Sequence, residues 1–278
     1  MEKMLEIGAR LLAVAAVAAA ITANSGAAAQ VRIEPAVKIT KPTPGQQMSI
    51  VAEANLKMAR PKAPVDFTGM WKMQRTATNT PPDWEFRPMP KLTPAGQKVF
   101  DERNKAQAEN RQSMTDQDVA QCYPVGMPRI MTRVWLHQMI QLPTAIVMVS
   151  GFTNQVRWIY LDGRKHTDFD IAQPTWNGES IGHWEGKELV IDTRNFDGTH
   201  SWIQNGVPNG DQLHIIERWK LIEGGNVLEI KFIMTDPVNW EGEWVDTKRW
   251  NIRDDADITE AHCIAAEMAN LPSARSAR

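Results

Sequence analysis

The chain has little cysteine, almost no tyrosine and no excess of either charge. It holds two Cys and two Tyr in 278 residues, and Lys plus Arg (31) nearly balances Asp plus Glu (33) for a net charge of −2. That balance excludes the basic surface that displaces counterions from nucleic acid, so no nucleic-acid partner is expected. Two cysteines without Cys-x-x-Cys spacing exclude a thioredoxin-like redox motif and a cysteine zinc site. No Gly-rich phosphate loop or dinucleotide fingerprint occurs, so no cofactor is expected. The longest apolar run at the amino end, Leu11 to Ile21, has 21 − 11 + 1 = 11 residues. A spanning helix needs about 18 or more, so no membrane partner is expected for the mature form.

What is present points to an exported globular protein. Apolar residues make up 42% and charged residues 23%, enough of the former to bury a core. Residues 1–29 have the form of a secretory signal. Lys3 and Arg10 supply positive charge, the Ala-rich run follows, and Ala27-Ala28-Ala29 offers a small-residue cleavage site. A periplasmic or secreted protein is therefore expected. In an oxidising compartment a Cys122–Cys263 disulfide is the default. It closes a separation of 263 − 122 = 141 residues, and chain entropy puts a ceiling of roughly 5 kcal/mol on its stabilisation.

Residues 30–65 form an extended leader holding Pro35, Pro42, Pro44, Pro61 and Pro64. A single β domain is expected over 66–265, followed by a tail over 266–278. Thr93-Pro94 gives an N-cap and a proline at the first helical position, predicting a mostly polar helix near 94–112 anchored by Val99 and Phe100. From about 130 the chain becomes short alternating strands separated by turn signals such as Asp162-Gly163, Asn177-Gly178 and Gly224-Gly225. The candidates are 132–142, 145–152, 155–162, 180–184, 188–193, 212–222, 227–235 and 243–252. Close spacing without helices between them predicts an antiparallel barrel or sandwich.

One hairpin can be set in register. Leu228, Ile230, Phe232 and Met234 share one face of their strand, and Leu213, Ile215, Glu217, Trp219 and Leu221 share one face of the preceding strand. A turn over Glu223 to Asn226 places Leu221 opposite Leu228 and Glu217 opposite Phe232, so both apolar sets meet. Glu217 then faces inward, where a carboxylate must be paired, hydrogen-bonded or protonated. It is either an interior ion-pair partner or a tuned acid or base.

Gly69-Met70-Trp71 at the start of a strand, followed by a meander, resembles the opening of lipocalins and other calycin barrels. A second resemblance covers roughly 120–263. Cys122-Tyr-Pro-Val-Gly-Met-Pro-Arg129, Arg157-Trp-Ile-Tyr-Leu-Asp-Gly-Arg164, Ser180-Ile-Gly-His-Trp-Glu-Gly186, Leu189-Val-Ile-Asp-Thr193 and Leu213-His-Ile-Ile-Glu-Arg218 are similar to a group of exported bacterial proteins. That group is frequent in bacteria that degrade plant-derived and polycyclic compounds. The chain departs from it at Lys187, where Asp is usual, and at His183, where a basic residue such as Arg is usual. The resemblances imply a mainly β, up-and-down calycin-like barrel with an N-terminal extension and one or two short helices.

Such a barrel suits one small ligand, and the eleven Trp suit a flat aromatic one. Trp158, Trp184, Trp219 and Phe232 are expected to line the cavity. Arg157 and Tyr160 have opposite strand phase, so one of them faces inward. An inward Arg157 pairs Glu217; an inward Tyr160 orients a substrate hydroxyl. Glu217 with His137 or His183 is the expected acid–base set. His214 is out of phase with Glu217 and is set aside. His166-x-Asp168-x-Asp170 has metal-ligand residue types but reads more readily as a solvated turn, so no metal is expected. Gly178-Glu-Ser-Ile-Gly182 matches the letters of a nucleophile elbow without its strand–turn–helix context.

The expected function is a cofactor-free lyase acting on a hydrophobic aromatic alcohol. The resemblance implies a lignin-derived dimer losing formaldehyde from a hydroxymethyl group. The alternative is a lipocalin-like carrier of a hydrophobic or aromatic molecule. A hydrolase, the third reading, lacks its nucleophile context.

Overall fold

A computed structural model describes residues 47–75, 83–109, 122–198, 202–204, 206–261 and 263. The expected signal segment, residues 30–46 of the Pro-containing leader, residues 110–112 of the expected helix and the tail 266–278 lie outside the described residues. The elements, in chain order, begin with a one-turn helix α1 (Glu53–Leu56), strand β1 (Gly69–Met73) and helix α2 (Pro94–Ala108). The strands β2 (His137–Gln141), β3 (Ala145–Ser150), β4 (Val156–Tyr160), β5 (Glu179–Glu185) and β6 (Glu188–Arg194) follow. A small hairpin, β7 (Trp202–Gln204) with β8 (Val207–Pro208), precedes β9 (His214–Ile222), β10 (Val227–Thr235) and β11 (Trp244–Arg253).

Among the described residues, β1 to β6 and β9 to β11 close into a barrel in the order β1-β11-β10-β9-β6-β5-β4-β3-β2. The mainly β barrel expected from the sequence is present, on the strand that Gly69-Met70-Trp71 opens and the eight candidates after residue 130. The expected antiparallel pairing does not hold throughout. Strand direction reverses across each antiparallel pair, so a closed ring holds an even number of such pairs. Nine strands therefore need a parallel pair, and it is β4 with β5, through Ile159↔Ser180 and Tyr160↔Ile181. Parallel neighbours require a crossover of a dozen or more residues. Here it runs over residues 161–178, or 178 − 161 + 1 = 18 residues.

The β9–β10 register matches the sequence expectation: Leu221↔Leu228, Trp219↔Ile230, Glu217↔Phe232 and Ile215↔Met234. A short turn over Glu223–Gly225 joins the strands. Alternate side chains then fill the interior, where Trp71, Trp219, Trp244 and Trp250 are at most 1% exposed. Phe86, from the segment before α2, adds to this core against Phe232 and Trp244, with ring centroids 5.1 and 5.9 Å apart. Its backbone N–H and carbonyl are both held by the Gln204 carboxamide.

Helix α2 starts as its sequence requires. Thr93 Oγ1 accepts from the Gly96 N–H at 3.1 Å, and Pro94 occupies the first turn. The helix packs tightly because a Cβ at Gly96 would lie 2.1 Å from the Asn239 carbonyl oxygen. The described end of the leader lies against the barrel. Thr144 Oγ1 donates to the Ile50 carbonyl at 2.7 Å, and Asn55 Nδ2 to Asp162 Oδ2 at 3.1 Å. Cys122 and Cys263 form the disulfide, with Cα atoms 5.5 Å apart. No helix among the described residues is long and apolar enough to cross a membrane.

Candidate functional site

Two arrangements concentrate polar chemistry: a sealed network inside the barrel and an open cleft outside β4 and β5. Inside, strand parity turns Arg157, Ser180, Thr193 and Glu217 toward one another, and all four are at most 1% exposed. Arg157 makes a forked ion pair with Glu217. Nη1 donates to Oε1 at 3.2 Å and Nη2 to Oε2 over a shorter contact. Nε and Nη2 also donate to Ser180 Oγ at 3.1 and 3.0 Å, and Nη2 to Thr193 Oγ1 at 3.1 Å. Trp219 Nε1 completes the set by donating to Glu217 Oε1 at 3.2 Å. A planar guanidinium suits this bidentate geometry. Glu217 is thus inward, as its register demands, but both oxygens are engaged.

The other expected site residues scatter. His137 is fully buried, its ring stacked on Trp250 with centroids 4.6 Å apart. Its Nε2 lies 3.0 Å from the Ile130 carbonyl, while Nδ1 meets no partner among the described residues. Desolvation lowers its pKa to about 4, against the Ile130 and Trp135 carbonyls. His183 points away from the barrel interior with its side chain 61% exposed, and its Nε2 sits 3.3 Å from Glu185 Oε1. The β5 pleat puts it on the face opposite Ser180, so the structure does not bring it to Glu217. Trp184 is partly buried and stacks on Phe67 at 5.8 Å, and Phe232 belongs to the core. Trp158 and Tyr160 face outward because Arg157 and Ile159 take the inward phase of β4. Three clefts among the described residues, of about 490, 650 and 170 Å³, are lined by residues other than Glu217, Trp219 and Phe232.

The 490 Å³ cleft is built by the crossover that the parallel pair requires. One wall is the outer face of β4, with Val156, Trp158 and Tyr160; the opposite wall is the crossover itself, with Ile171 and Trp176. Trp158 is 43% exposed and Ile171 71% exposed. Arg164 stacks on the Tyr160 ring, with Cζ 3.9 Å from the centroid, and is itself braced by Asp162. Gly126, with φ +71°, packs on the backbone of Trp176, where a Cβ would sit 2.4 Å from the Trp176 carbonyl oxygen. Such a volume falls within the range of small-molecule sites.

Glu179 ties the crossover to the barrel and also lines the cleft. Its carboxylate accepts from the Thr167 N–H at 2.8 Å and from Thr167 Oγ1 at 2.8 Å, and lies 3.0 Å from His166 Nδ1. His166 Nε2 stands 3.3 Å from Asp192 Oδ1, outside hydrogen-bond geometry, so that contact is electrostatic. Asp192 also lies 2.9 Å from His214 Nε2 and is forked by Arg194. Asp192 and Glu179 hold the His166 imidazole above its ordinary pKa despite partial burial. Burial would raise the Asp192 carboxyl, but His166, His214 and Arg194 outweigh it and hold it well below the usual carboxylate range. His166, Asp168 and Asp170 do not gather as a ligand set; no group of three such side chains among the described residues could hold a metal ion.

Sequence reasoning missed Glu179, Asp192 and the crossover. A signal for Asp192 exists: it shares the outward phase of β6 with Val190 and Arg194, as His214 does on β9. The Glu179–His166 contact depends on a loop path that no periodicity encodes. The chain matches no protein-family model and no curated protein.

Proposed function

We propose that this is an exported protein that binds a small aromatic molecule in the outer cleft, the carrier reading of the sequence relocated from the barrel's interior to its flank. The observation that carries it is the 490 Å³ cleft walled by Trp158, Tyr160 and Trp176. An indole left 43% exposed on a rigid strand offers a flat ring a stacking surface at little conformational cost. The disulfide and the signal-like residues 1–29 support a periplasmic or secreted location. Titration of the intact protein with aromatic ligands, followed by tryptophan fluorescence and calorimetry, tests the reading. Trp158→Ala should weaken binding about tenfold, since a stacked pair contributes roughly 0.5–1.5 kcal/mol beyond its buried area. Its unfolding midpoint should barely move. Unchanged affinity in that variant would remove the proposal.

The lyase expectation survives in one form, favoured by Glu179. In that second reading Glu179 and His166, 3.0 Å apart at the cleft wall, replace Glu217 as the acid–base pair, because Glu217 is occupied by Arg157 and Trp219. The same titrations, run with a hydroxymethylated aromatic dimer and an assay for formaldehyde, separate catalyst from carrier.

A further inference from the structure

We propose that residues 47–60, ahead of the barrel, are a positioning strap of the outer cleft, acting through Asp162 and Arg164 on the Tyr160 ring. The proposal rests on the aromatic-binding reading above and names what controls that site. Tyr160 ends β4 and lines the cleft. The chain then turns at Gly163, where φ is +80°, and brings the Arg164 guanidinium back over the ring, with Cζ 3.9 Å from its centroid. Asp162 forks that guanidinium: Nε donates to Oδ1 at 2.8 Å and Nη2 to Oδ2 at 2.7 Å. The strap supplies two further acceptors. Nη1 donates to Gln47 Oε1 at 2.7 Å and Nη2 to the Met48 carbonyl at 3.1 Å. Asp162 Oδ2 also accepts from Asn55 Nδ2 at 3.1 Å, so the strap holds both members of the ion pair. Asn55 is buried, and its Nδ2 donates to the Ser49 carbonyl as well, at 3.1 Å.

A guanidinium stacked on a ring steadies that ring only when its own long side chain is held. Here Asp162 holds it from the crossover and residues 47–55 hold it from the other side. The Asp162 and Arg164 side chains are 7% and 11% exposed, so solvent and salt screen the pair little. Burial would raise the Asp162 carboxyl, but Arg164 and Asn55 outweigh it and keep its pKa below the ordinary value. The strap is seated on the barrel separately from this clasp, where Thr144 Oγ1 donates to the Ile50 carbonyl at 2.7 Å. The cleft is lined by residues from Pro124 onward, so the strap acts on a ligand through Tyr160 and not by touching it. A ring fixed in advance spares the ligand the cost of ordering it. Linkage makes the effect reciprocal: whatever the strap adds to the ligand's affinity, the ligand adds to the strap's attachment.

The test uses the intact protein, with 3-fluorotyrosine at its two tyrosines, Tyr123 and Tyr160, and 4-hydroxybibenzyl as the probe. Asn55→Ala and Arg164→Met should each shift the Tyr160 fluorine resonance and leave that of Tyr123 in place. Each should weaken the probe about threefold to tenfold. The two combined should lose little beyond Arg164→Met alone, because the strap works through the arginine. Saturating probe should slow amide exchange over 47–57 in the wild type and not in Arg164→Met. Gln47→Ala, which removes one exposed bond to Arg164, takes the place of Asn55→Ala if that variant does not fold. A Tyr160 resonance indifferent to the strap variants would overturn the proposal, as would additive losses of affinity or exchange that ignores the probe. If the wild type itself binds no probe, the proposed function falls, and the fluorine spectra still decide whether the strap reaches Tyr160.

Discussion

Arg157 spends its guanidinium entirely inside the protein, on Glu217, Ser180 and Thr193. A buried ion pair of this kind is weak evidence for net stability, because desolvation offsets the attraction. Removing one partner is different, since it strands the other. Glu217→Leu should cost about 3–5 kcal/mol, read from urea unfolding. Arg157→Met together with Glu217→Leu should recover more than half of that loss. A double variant as unstable as the sum of the two singles would show that the pair does not act as a unit. At this scale the sequence was informative about orientation. Alternation placed Glu217 inward opposite Phe232, and it separated Arg157 from Trp158 and Tyr160 without saying which phase faced in. The choice followed from the closed barrel: Arg157 has a carboxylate, Ser180 and Thr193 on converging strands to satisfy it, whereas the outer face offers Tyr160 a guanidinium to stack on.

At the scale of elements, the crossover over 161–178 is a loop fastened by charge rather than by a core of its own. His166 lies between Glu179 of β5 and Asp192 of β6, with His214 of β9 and Arg194 on the far side of Asp192. Its pKa is raised in the folded protein. A raised histidine contributes stability that is complete below the unfolded value of about 6.5 and fades as pH climbs through the folded value. Amide protection over 163–172, corrected for intrinsic exchange rates, should therefore fall as pH rises above about 6.5. His166→Gln should flatten that dependence, and a wild-type profile already flat would rule out the fastening. The strands and α2 were legible because period-two alternation and the Thr93-Pro94 cap are local signals. The small β7–β8 hairpin and the crossover path were not. The first has only three and two residues in its strands, too few to show a period, and the second is set by contacts between residues far apart in sequence.

At the scale of the whole molecule, closure governs what the chain can do. The ring of nine strands forces one parallel step, the parallel step forces a long crossover, and the crossover creates the cleft. The disulfide acts at the same scale by joining residues 141 apart. It draws the segment after β11 back across the barrel, where Asn154 Nδ2 donates to the Thr259 carbonyl at 3.1 Å. Replacing both cysteines with serine should lower stability by up to about 5 kcal/mol, the loop-closure ceiling, seen as a lower urea midpoint with a steeper slope, because the uncrosslinked chain exposes more surface when it unfolds. A loss well under 1 kcal/mol would mean that the unfolded chain gains almost no freedom when the bond is absent.

By itself the amino-acid pattern determined a β domain, the β9–β10 register, the inward turn of Glu217 and the pairing of Cys122 with Cys263. These are properties of neighbours along the chain, or of the one partner available, so alternation and counting reach them. Only the tertiary structure decided that the ring closes through a parallel β4–β5 pair, that Arg157 closes on Glu217, and that the outer face of β4 carries an open cleft. Those outcomes depend on how the sheet's two ends meet, and a ring's closure is not encoded in any single stretch of residues.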